Sequence, residues 1–405
     1  MQAKKPCLVV VSPFVDKQHG TERRVAEWLN QLIETFDIHL FSQRVDDLDL
    51  SRIRWHRIPK CPGPHLLAYS WWFAANHFCR LWNAIFRGLN PDLVFSPGIN
   101  CLDADVMSVH VVFGDYRRRN ASMLRFENHP LRNWPLLLHR KLYYSFIAHL
   151  ERLLYAKRKK TLIPISQKTA MALKTFYGRT DRFPVVYQGI DHGIFNPARR
   201  IWLRDEVRRA FHLSPGQFVL LLIGNDWRNK GLHSLLEARA LLRELPLQLL
   251  VVGQDVQSTY FRCVEENQCV AQVHFLPSRR DVEFYYAAAD AYCGPSLEDA
   301  FGQPPAEAMA CGLPVITSVT NGTSEIIEDG VDGLLLRNPT DSKELASLIR
   351  KLYENPRLRE EMGAKAAEKM LQFTWEKSGR EMTNLLLQAL EAKKSRHASV
   401  LRQET

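Results

Sequence analysis

Pro295-Ser296-Leu297-Glu298-Asp299-Ala300-Phe301-Gly302-Gln303-Pro304-Pro305-Ala306-Glu307-Ala308-Met309-Ala310-Cys311-Gly312-Leu313-Pro314-Val315-Ile316 is the stretch on which the reading of this chain turns. It reads as a strand end, a tight loop, a short helix, a glycine stop and a further strand. Pro304 and Pro305 suit the opening of a helix, where a missing N–H loses nothing. Gly312 suits the left-handed residue that closes one. The helix N-terminus and the loop amides around Phe301, Gly302 and Gln303 form an anion site. Asp299 lies in the loop, and Glu307 is expected in the first turn of the helix. A carboxylate just inside such a loop can accept two hydrogen bonds from a sugar diol. Phosphate beside ribose is what a nucleotide-diphosphate ligand needs.

Outward from this stretch, apolar runs alternate with helical patterns in both halves, which argues for α/β layers over parallel sheets. Strands are expected at 7–12, 38–41, 54–58, 93–96, 106–109 and 161–165, and again at 218–223, 247–252, 273–276, 291–293, 314–317 and 333–335. At 405 residues the chain exceeds what one core usually holds, so two domains are expected. No apolar run is long enough to span a bilayer. The N-terminal apolar run stops at Pro13 and Asp16 and reads as a buried strand rather than a leader. Cys7, Cys61, Cys79, Cys101, Cys263, Cys269, Cys293 and Cys311 are scattered, without a C-x-x-C pair or metal spacing. Reduced thiols in a cytosolic protein are expected.

Charge is segregated. Residues 1–195 hold 28 Lys and Arg against 16 Asp and Glu, and 116–182 alone hold 16 against 3. A patch of this kind suits a polyanion or an anionic membrane. Two segments add aromatics to it: 65–87, with Trp71, Trp72, Phe73, Phe78, Trp82 and Phe86, and 134–160, ending in Lys157-Arg158-Lys159-Lys160. Trp and Tyr favour the water–lipid boundary, and basic amphipathic helices lie on anionic lipid. The bland alternative is that these aromatics are core residues facing the first sheet. No motif supports nucleic-acid binding.

The stretch at 295–316 resembles the E-x7-E region of retaining glycosyltransferases of the GT-B fold, in particular glycosyltransferase family 4. Asp299 stands where the family usually has Glu, and Ala300 where it usually has Gly. The resemblance implies two Rossmann-like domains with a cleft between them and a C-terminal helix crossing back to the first domain. It divides the chain into an acceptor-side domain at 1–190 carrying the basic segment, a linker at 191–200, a nucleotide-sugar domain at 201–374, and a crossover helix and tail at 375–405. The linker follows from Gln188-Gly189-Ile190-Asp191, similar to the family's inter-domain sequence. The tail after about Ala392 is polar and expected to fray.

Further motifs join this resemblance. Gly224-Asn225-Asp226-Trp227-Arg228-Asn229-Lys230-Gly231 follows a strand and resembles the family segment whose Arg and Lys hold the donor pyrophosphate. Lys230 matches the Lys. Asn225 replaces the Arg, and Arg228 is the candidate substitute. With Val252-Gly253-Gln254-Asp255, this segment looks most like the lipopolysaccharide-core α-glucosyltransferases. His19-Gly20-Thr21-Glu22-Arg23 resembles the family's Gly-Gly-x-E-R loop, which faces the donor phosphates and the acceptor. Gly20 would admit close backbone approach. His110, at the end of a strand, stands where relatives often place a His near the sugar.

The implied activity is retaining, metal-independent transfer of a hexose from a UDP-glucose-like or GDP-mannose-like donor to a lipid-linked or cell-surface glycan. Lipopolysaccharide or exopolysaccharide synthesis is the implied setting, on the cytosolic face of the membrane. His110, Lys230 and Asp299 are the catalytic candidates. Gly20, Arg228, Lys230, Asp299, Phe301, Gly302 and Glu307 are the donor-binding candidates. No cofactor is implied, because the nucleotide sugar is a substrate. Asp103-Ala104-Asp105 matches a D-x-D metal motif by letters but precedes a strand in the first domain. Two alternatives compete: a nucleotide-sugar epimerase of the same architecture, and a non-catalytic protein binding membrane or polyanion.

Overall fold

The computed structural model describes residues 4–17, 20–119, 121, 125–128, 130–157, 159–266 and 270–401. His19, His129, Arg158 and Cys269 lie outside the described residues. Two compact units are present: 1–187 with 375–405, and 188–374. Residues 191–200, expected as a linker, therefore lie within the second unit, and from Pro197 they are already helical. Asn196 caps that helix by accepting from the Arg199 amide, 2.8 Å away, and Pro197 follows at a position that suits it.

The first unit is built on β1 (Cys7–Val11), β2 (Phe14–Val15), β3 (Asp37–Ser42), β4 (Arg44–Val45), β5 (Ile53–Arg57), β6 (Leu93–Pro97), β7 (Val106–Val109) and β8 (Thr161–Pro164). Its helices are α1 (Gly20–Leu32), α2 (His65–Arg87), α3 (Phe113–Arg119), α4 (Trp134–Tyr155) and α5 (Gln167–Tyr177). The second unit has β9 (Phe218–Ile223), β10 (Leu247–Val252), β11 (Val273–Leu276), β12 (Ala291–Gly294), β13 (Val315–Ser318) and β14 (Leu334–Leu336). Its helices are α6 (Pro197–Ala210), α7 (Leu232–Leu241), α8 (Ser258–Glu266), α9 (Glu283–Ala288), α10 (Gln303–Ala310), α11 (Ser342–Glu354) and α12 (Pro356–Met370). The last helix, α13 (Trp375–Leu401), belongs to the first unit.

Both large sheets are parallel and share one topology. The first is ordered β5-β3-β1-β6-β7-β8 and the second β11-β10-β9-β12-β13-β14. In each, the chain starts centrally, winds out to one edge, then returns to wind out to the other. Between the two innermost strands the loops diverge, and ligands of such sheets bind there, at the strands' carboxyl ends. Strands such as Leu8–Val11 and Val219–Leu222 are buried along their whole length, as helices on both faces require.

α13 packs on α1. Met382, Leu386, Ala389 and Leu390 join the core of β1, β3 and α1. The Trp28 indole donates to Ser378 Oγ at 2.9 Å. Gly379 is needed there, since a Cβ would come within 2.4 Å of Gln31. The helix continues past Ala392 to Leu401, and Lys393 reaches Asp105 at 2.9 Å.

α2 divides its aromatics between the core and the surface. It buries Trp72, Asn76 and Asn83. Trp72 Nε1 donates to Asn100 Oδ1 at 3.1 Å, and Asn76 Nδ2 donates to the Asn100 carbonyl at 3.0 Å. Its outward face carries Phe78, Leu81, Trp82, Ile85 and Phe86, all exposed, with Phe78 at 65%. No helix among the described residues is long and apolar enough to cross a membrane.

Candidate functional site

β9 and β12 are the two central strands of the second sheet, and each ends in one of the two motifs singled out above. After β9 the chain runs through Gly224 to Lys230, and Gly231 caps α7 with φ +77°. A side chain at Gly231 would strike the Pro295 carbonyl at 2.0 Å, so only glycine lets the two loops touch. Leu297 N donates to the Asn229 carbonyl at 2.7 Å, and Asn229 Nδ2 donates to the Glu298 carbonyl, also at 2.7 Å. These bonds fix one loop against the other and bring the Lys230 ammonium into contact with the Asp299 carboxylate. The pair is half-buried. Gly224 lies under the Lys230 stem, since a Cβ there would come within 2.8 Å of the methylenes.

The loop into α10 is equally determined. Gly302 is its N-cap, with Pro304 and Pro305 in the opening turn. The Asn321 side-chain oxygen accepts from Gly302 N and Thr323 N, each at 3.0 Å, and Thr323 Oγ1 donates to the Gly302 carbonyl at 2.6 Å. A Cβ at Gly302 would meet Asn321 at 2.6 Å. Phe301 is buried. Gly312 ends the helix region with φ +72°, as its position suggested.

Glu307 lies one turn into α10 rather than in its first turn, because the helix starts at Gln303. It is 5% exposed and accepts from the Tyr286 hydroxyl at 2.8 Å. Burial, then the Glu307 carboxylate, pushes the Tyr286 phenol well up, so it remains a donor. Arg228 is exposed on the β9–α7 turn, and its charge is felt at Tyr260 of α8. Asn225, at the place of the family's Arg, accepts from Gln254 N at 3.0 Å. It thus ties the loop after β9 to the loop after β10.

The remaining candidates lie in the first unit. Gly20 opens α1, and a Cβ there would meet nothing within 4 Å. His110 follows β7 directly. Its Nδ1 is 3.3 Å from Thr21 Oγ1 and its Nε2 is 3.0 Å from Ser108 Oγ. Burial, and then the charge of Arg24, holds its pKa well below the ordinary value, so the ring is neutral at pH 7. Asp103 is engaged by Arg80, and Asp105 by Lys393 at 2.9 Å and by the Val94 amide at 2.9 Å. The two carboxylates of the D-x-D letters serve the fold.

Sequence reasoning missed Tyr286, Asn321 and Arg24. Tyr286 and Asn321 act on the loop from distant positions that no local spacing reveals. Arg24 left a signal: it stands on the same helical stripe as Val25, Trp28, Leu29 and Leu32, where an apolar residue belongs.

Two parallel sheets of identical winding, with a Lys–carboxylate pair and a glycine-capped helix at the central strands of the second, define a Rossmann-type protein suited to a nucleotide ligand. Residues 204–369 match the family model for glycosyl transferases group 1. The chain is 30% identical over 250 residues to the D-inositol 3-phosphate glycosyltransferase of Pseudarthrobacter chlorophenolicus, covering 59% of this chain and 57% of that one. It is 28% identical over 221 residues to the lipopolysaccharide glucosyltransferase WaaG of Escherichia coli, covering 53% and 59%. The chain thus spans less than two thirds of the curated relatives it matches.

The crystal structure of WaaG, a glycosyltransferase involved in lipopolysaccharide biosynthesis, superposes with a TM-score of 0.75 at 20% identity, over 94% of this chain and 99% of that one. Anabaena HepE in complex with UDP-glucose gives 0.67 at 19%, over 94% and 99%. The fold is GT-B, and residues 204–369 are similar to the group 1 glycosyl transferases.

Proposed function

We propose that the protein is a retaining glycosyltransferase. It moves a hexose from a nucleotide-diphosphate sugar, UDP-glucose-like or GDP-mannose-like, to a lipid-linked or cell-surface glycan. The observation that carries this reading is the Lys230–Asp299 pair, set at the central strands of the second sheet beside the amino end of α10. The names of the relatives support it: WaaG is a lipopolysaccharide glucosyltransferase, and HepE was solved with UDP-glucose.

In this reading the leaving diphosphate draws the Lys230 ammonium from Asp299, while the Gln303 amide at the opening of α10 takes a second phosphate oxygen. Arg228 supplies further positive charge from the same turn. Glu307, held by Tyr286, accepts from the ribose hydroxyls. Asp299, relieved of Lys230, is left to receive a hydroxyl of the sugar. The neutral imidazole of His110 serves as a hydrogen-bonding group for the hexose or the acceptor. No metal takes part.

The reading places the first unit on anionic lipid. Support comes from α2, whose outward face carries Phe78, Leu81, Trp82, Ile85 and Phe86, and from the basic excess of residues 116–182. A contiguous exposed apolar patch marks an interaction surface.

NMR of the product formed from UDP-glucose or GDP-mannose and membrane-extracted glycolipid tests the reaction. An α-linked product from the α-linked donor, formed equally in EDTA, is expected. A β-linked product, loss of activity in EDTA, or release of the nucleoside diphosphate without acceptor overturns the reading. Conversion of the free sugar nucleotide to its epimer would replace it.

A further inference from the structure

Arg24 is a charge that the donor site leaves unused. It lies in the second turn of α1 and is 0% exposed. Its Nε, Nη1 and Nη2 meet no hydrogen-bond acceptor among the described residues. Its favourable neighbour is the Trp28 ring, whose centroid lies 5.5 Å from the guanidinium carbon. A stacked ring offsets part of the loss of hydration. It does not replace a carboxylate, and an ion buried without a counter-ion is strongly destabilising. Burial alone brings the Arg24 pKa down to about 9, which still leaves a cation at neutral pH.

The surroundings of this cation suit an anion. Its charge acts on His110, whose ring reaches Thr21 Oγ1 in the first turn of α1 and Ser108 Oγ at the end of β7. The guanidinium thus acts on a neutral imidazole that two hydroxyls flank, one at the carboxyl end of β7 and one in the opening turn of α1. α1 has 13 residues, long enough to develop a positive amino end. Its exposed opening and the buried Arg24 reinforce one another. The guanidinium fork presents paired N–H groups that match the oxygens of a phosphate or a carboxylate.

We propose that Arg24, with Thr21, Ser108, His110 and the amino end of α1, binds a phosphate or carboxylate carried by the acceptor. The assignment to the acceptor rests on the glycosyl-transfer reading; the anion site itself does not. The donor diphosphate already has Lys230, Arg228 and the Gln303 amide on the second unit. The acceptor is then an anionic glycan or glycolipid. An unpaired charge kept in a core at the expense of stability is expected where a ligand completes it.

Isothermal titration of the full chain with inorganic phosphate, and separately with UDP, tests this. Phosphate should bind the unmodified chain with or without saturating UDP, and should still bind Lys230→Ala. Arg24→Met should weaken phosphate binding by about tenfold or more, the scale of losing one charge-assisted contact, while leaving UDP affinity unchanged. Without ligand, Arg24→Met should melt no lower than the unmodified chain, because a methionine fills similar space without an unpaired charge. Phosphate binding unaffected by Arg24→Met overturns the site. Competition by UDP together with loss in Lys230→Ala assigns the anion to the donor and overturns the acceptor claim. A lower melting temperature for Arg24→Met without ligand shows a structural role and overturns the proposal. If the phosphate results hold but no sugar is transferred, the anion site stands and the transferase reading has failed.

Discussion

Lys230 and Glu307, both proposed to bind the donor, are held in different ways, and their variants should fail differently. Lys230 is half-buried and paired with Asp299, so it can turn to an entering diphosphate without first being desolvated. Lys230→Ala should lower kcat by about 10²-fold or more, the scale for losing a charge partner of the transition state. Asp299→Asn frees Lys230 and should leave nucleotide affinity intact while turnover falls. Equal loss of both would make Asp299 a positioning group for Lys230. Glu307 is deep and fixed by the Tyr286 hydroxyl at 2.8 Å. Glu307→Gln should weaken donor binding by about 1.5–3 kcal/mol with the fold unchanged. Tyr286→Phe should give a smaller loss in the same direction. Unchanged KM and kcat in Glu307→Gln would remove it from the ribose. Lys230, Asp299 and Glu307 were legible in the sequence because each lies in a continuous motif on one of two adjacent strand ends. Tyr286 and Asn321 were not, since they act through tertiary contacts that spacing does not encode, and Arg24 showed only as a charge on an apolar helical stripe.

At the scale of elements, the main strands were legible because both large parallel sheets are covered on both faces, which turns their strands into nearly unbroken apolar runs. The two-residue strands β2 and β4 carry no such run and were missed. The aromatics of α2 were read as a surface face with core burial as the alternative, and the helix does both: Trp72 is buried while Phe78, Trp82 and Phe86 are exposed. The N-terminus of α3 shows a device hidden from sequence. Glu151 of α4 is fully buried and accepts from the Phe113 and Gly114 amides, each at 2.8 Å, and from the Tyr177 hydroxyl at 2.6 Å. Burial outweighs these bonds and raises its pKa from 4.5 to about 7. The folded protein therefore binds a proton here that the unfolded chain has released. This contribution is full below about pH 4.5 and is lost as pH rises through 7, a change on the order of 3 kcal/mol. Denaturant unfolding of the unmodified chain and Glu151→Gln at pH 5 and pH 8 isolates it, since the other titrating groups cancel in the comparison. The stability of the unmodified chain relative to the variant should fall between the two pH values. An unchanged difference would mean that the amides keep Glu151 ionised throughout.

Across the whole molecule, charge follows the division into units. Residues 1–187 and 375–405 hold 34 Lys and Arg against 19 Asp and Glu, whereas 188–374 hold 20 against 25. The net +15 of the first unit suits an anionic surface, where each basic residue adds ~1 kcal/mol and salt screens the attraction. The basic run at 157–160 is a poor place to test this, because Lys160 donates to the Leu102 and Ala104 carbonyls at 3.1 and 2.6 Å and its loss would disturb the fold. The outward face of α2 is better. Phe78, Trp82 and Phe86 lie one above another, with ring centroids 6.4 and 4.1 Å apart, and Trp side chains favour the headgroup boundary. Sedimentation with vesicles should show the chain pelleting with anionic lipid at low salt, much less with neutral lipid, and less again at high salt. Replacing Phe78, Trp82 and Phe86 together by Ser should weaken pelleting while the melting temperature holds, since none of the three is buried in the core. Equal pelleting with neutral lipid would make the attraction purely apolar. Pelleting unaffected by the triple variant would move the contact off α2, and no pelleting at low salt would leave this face without a membrane role.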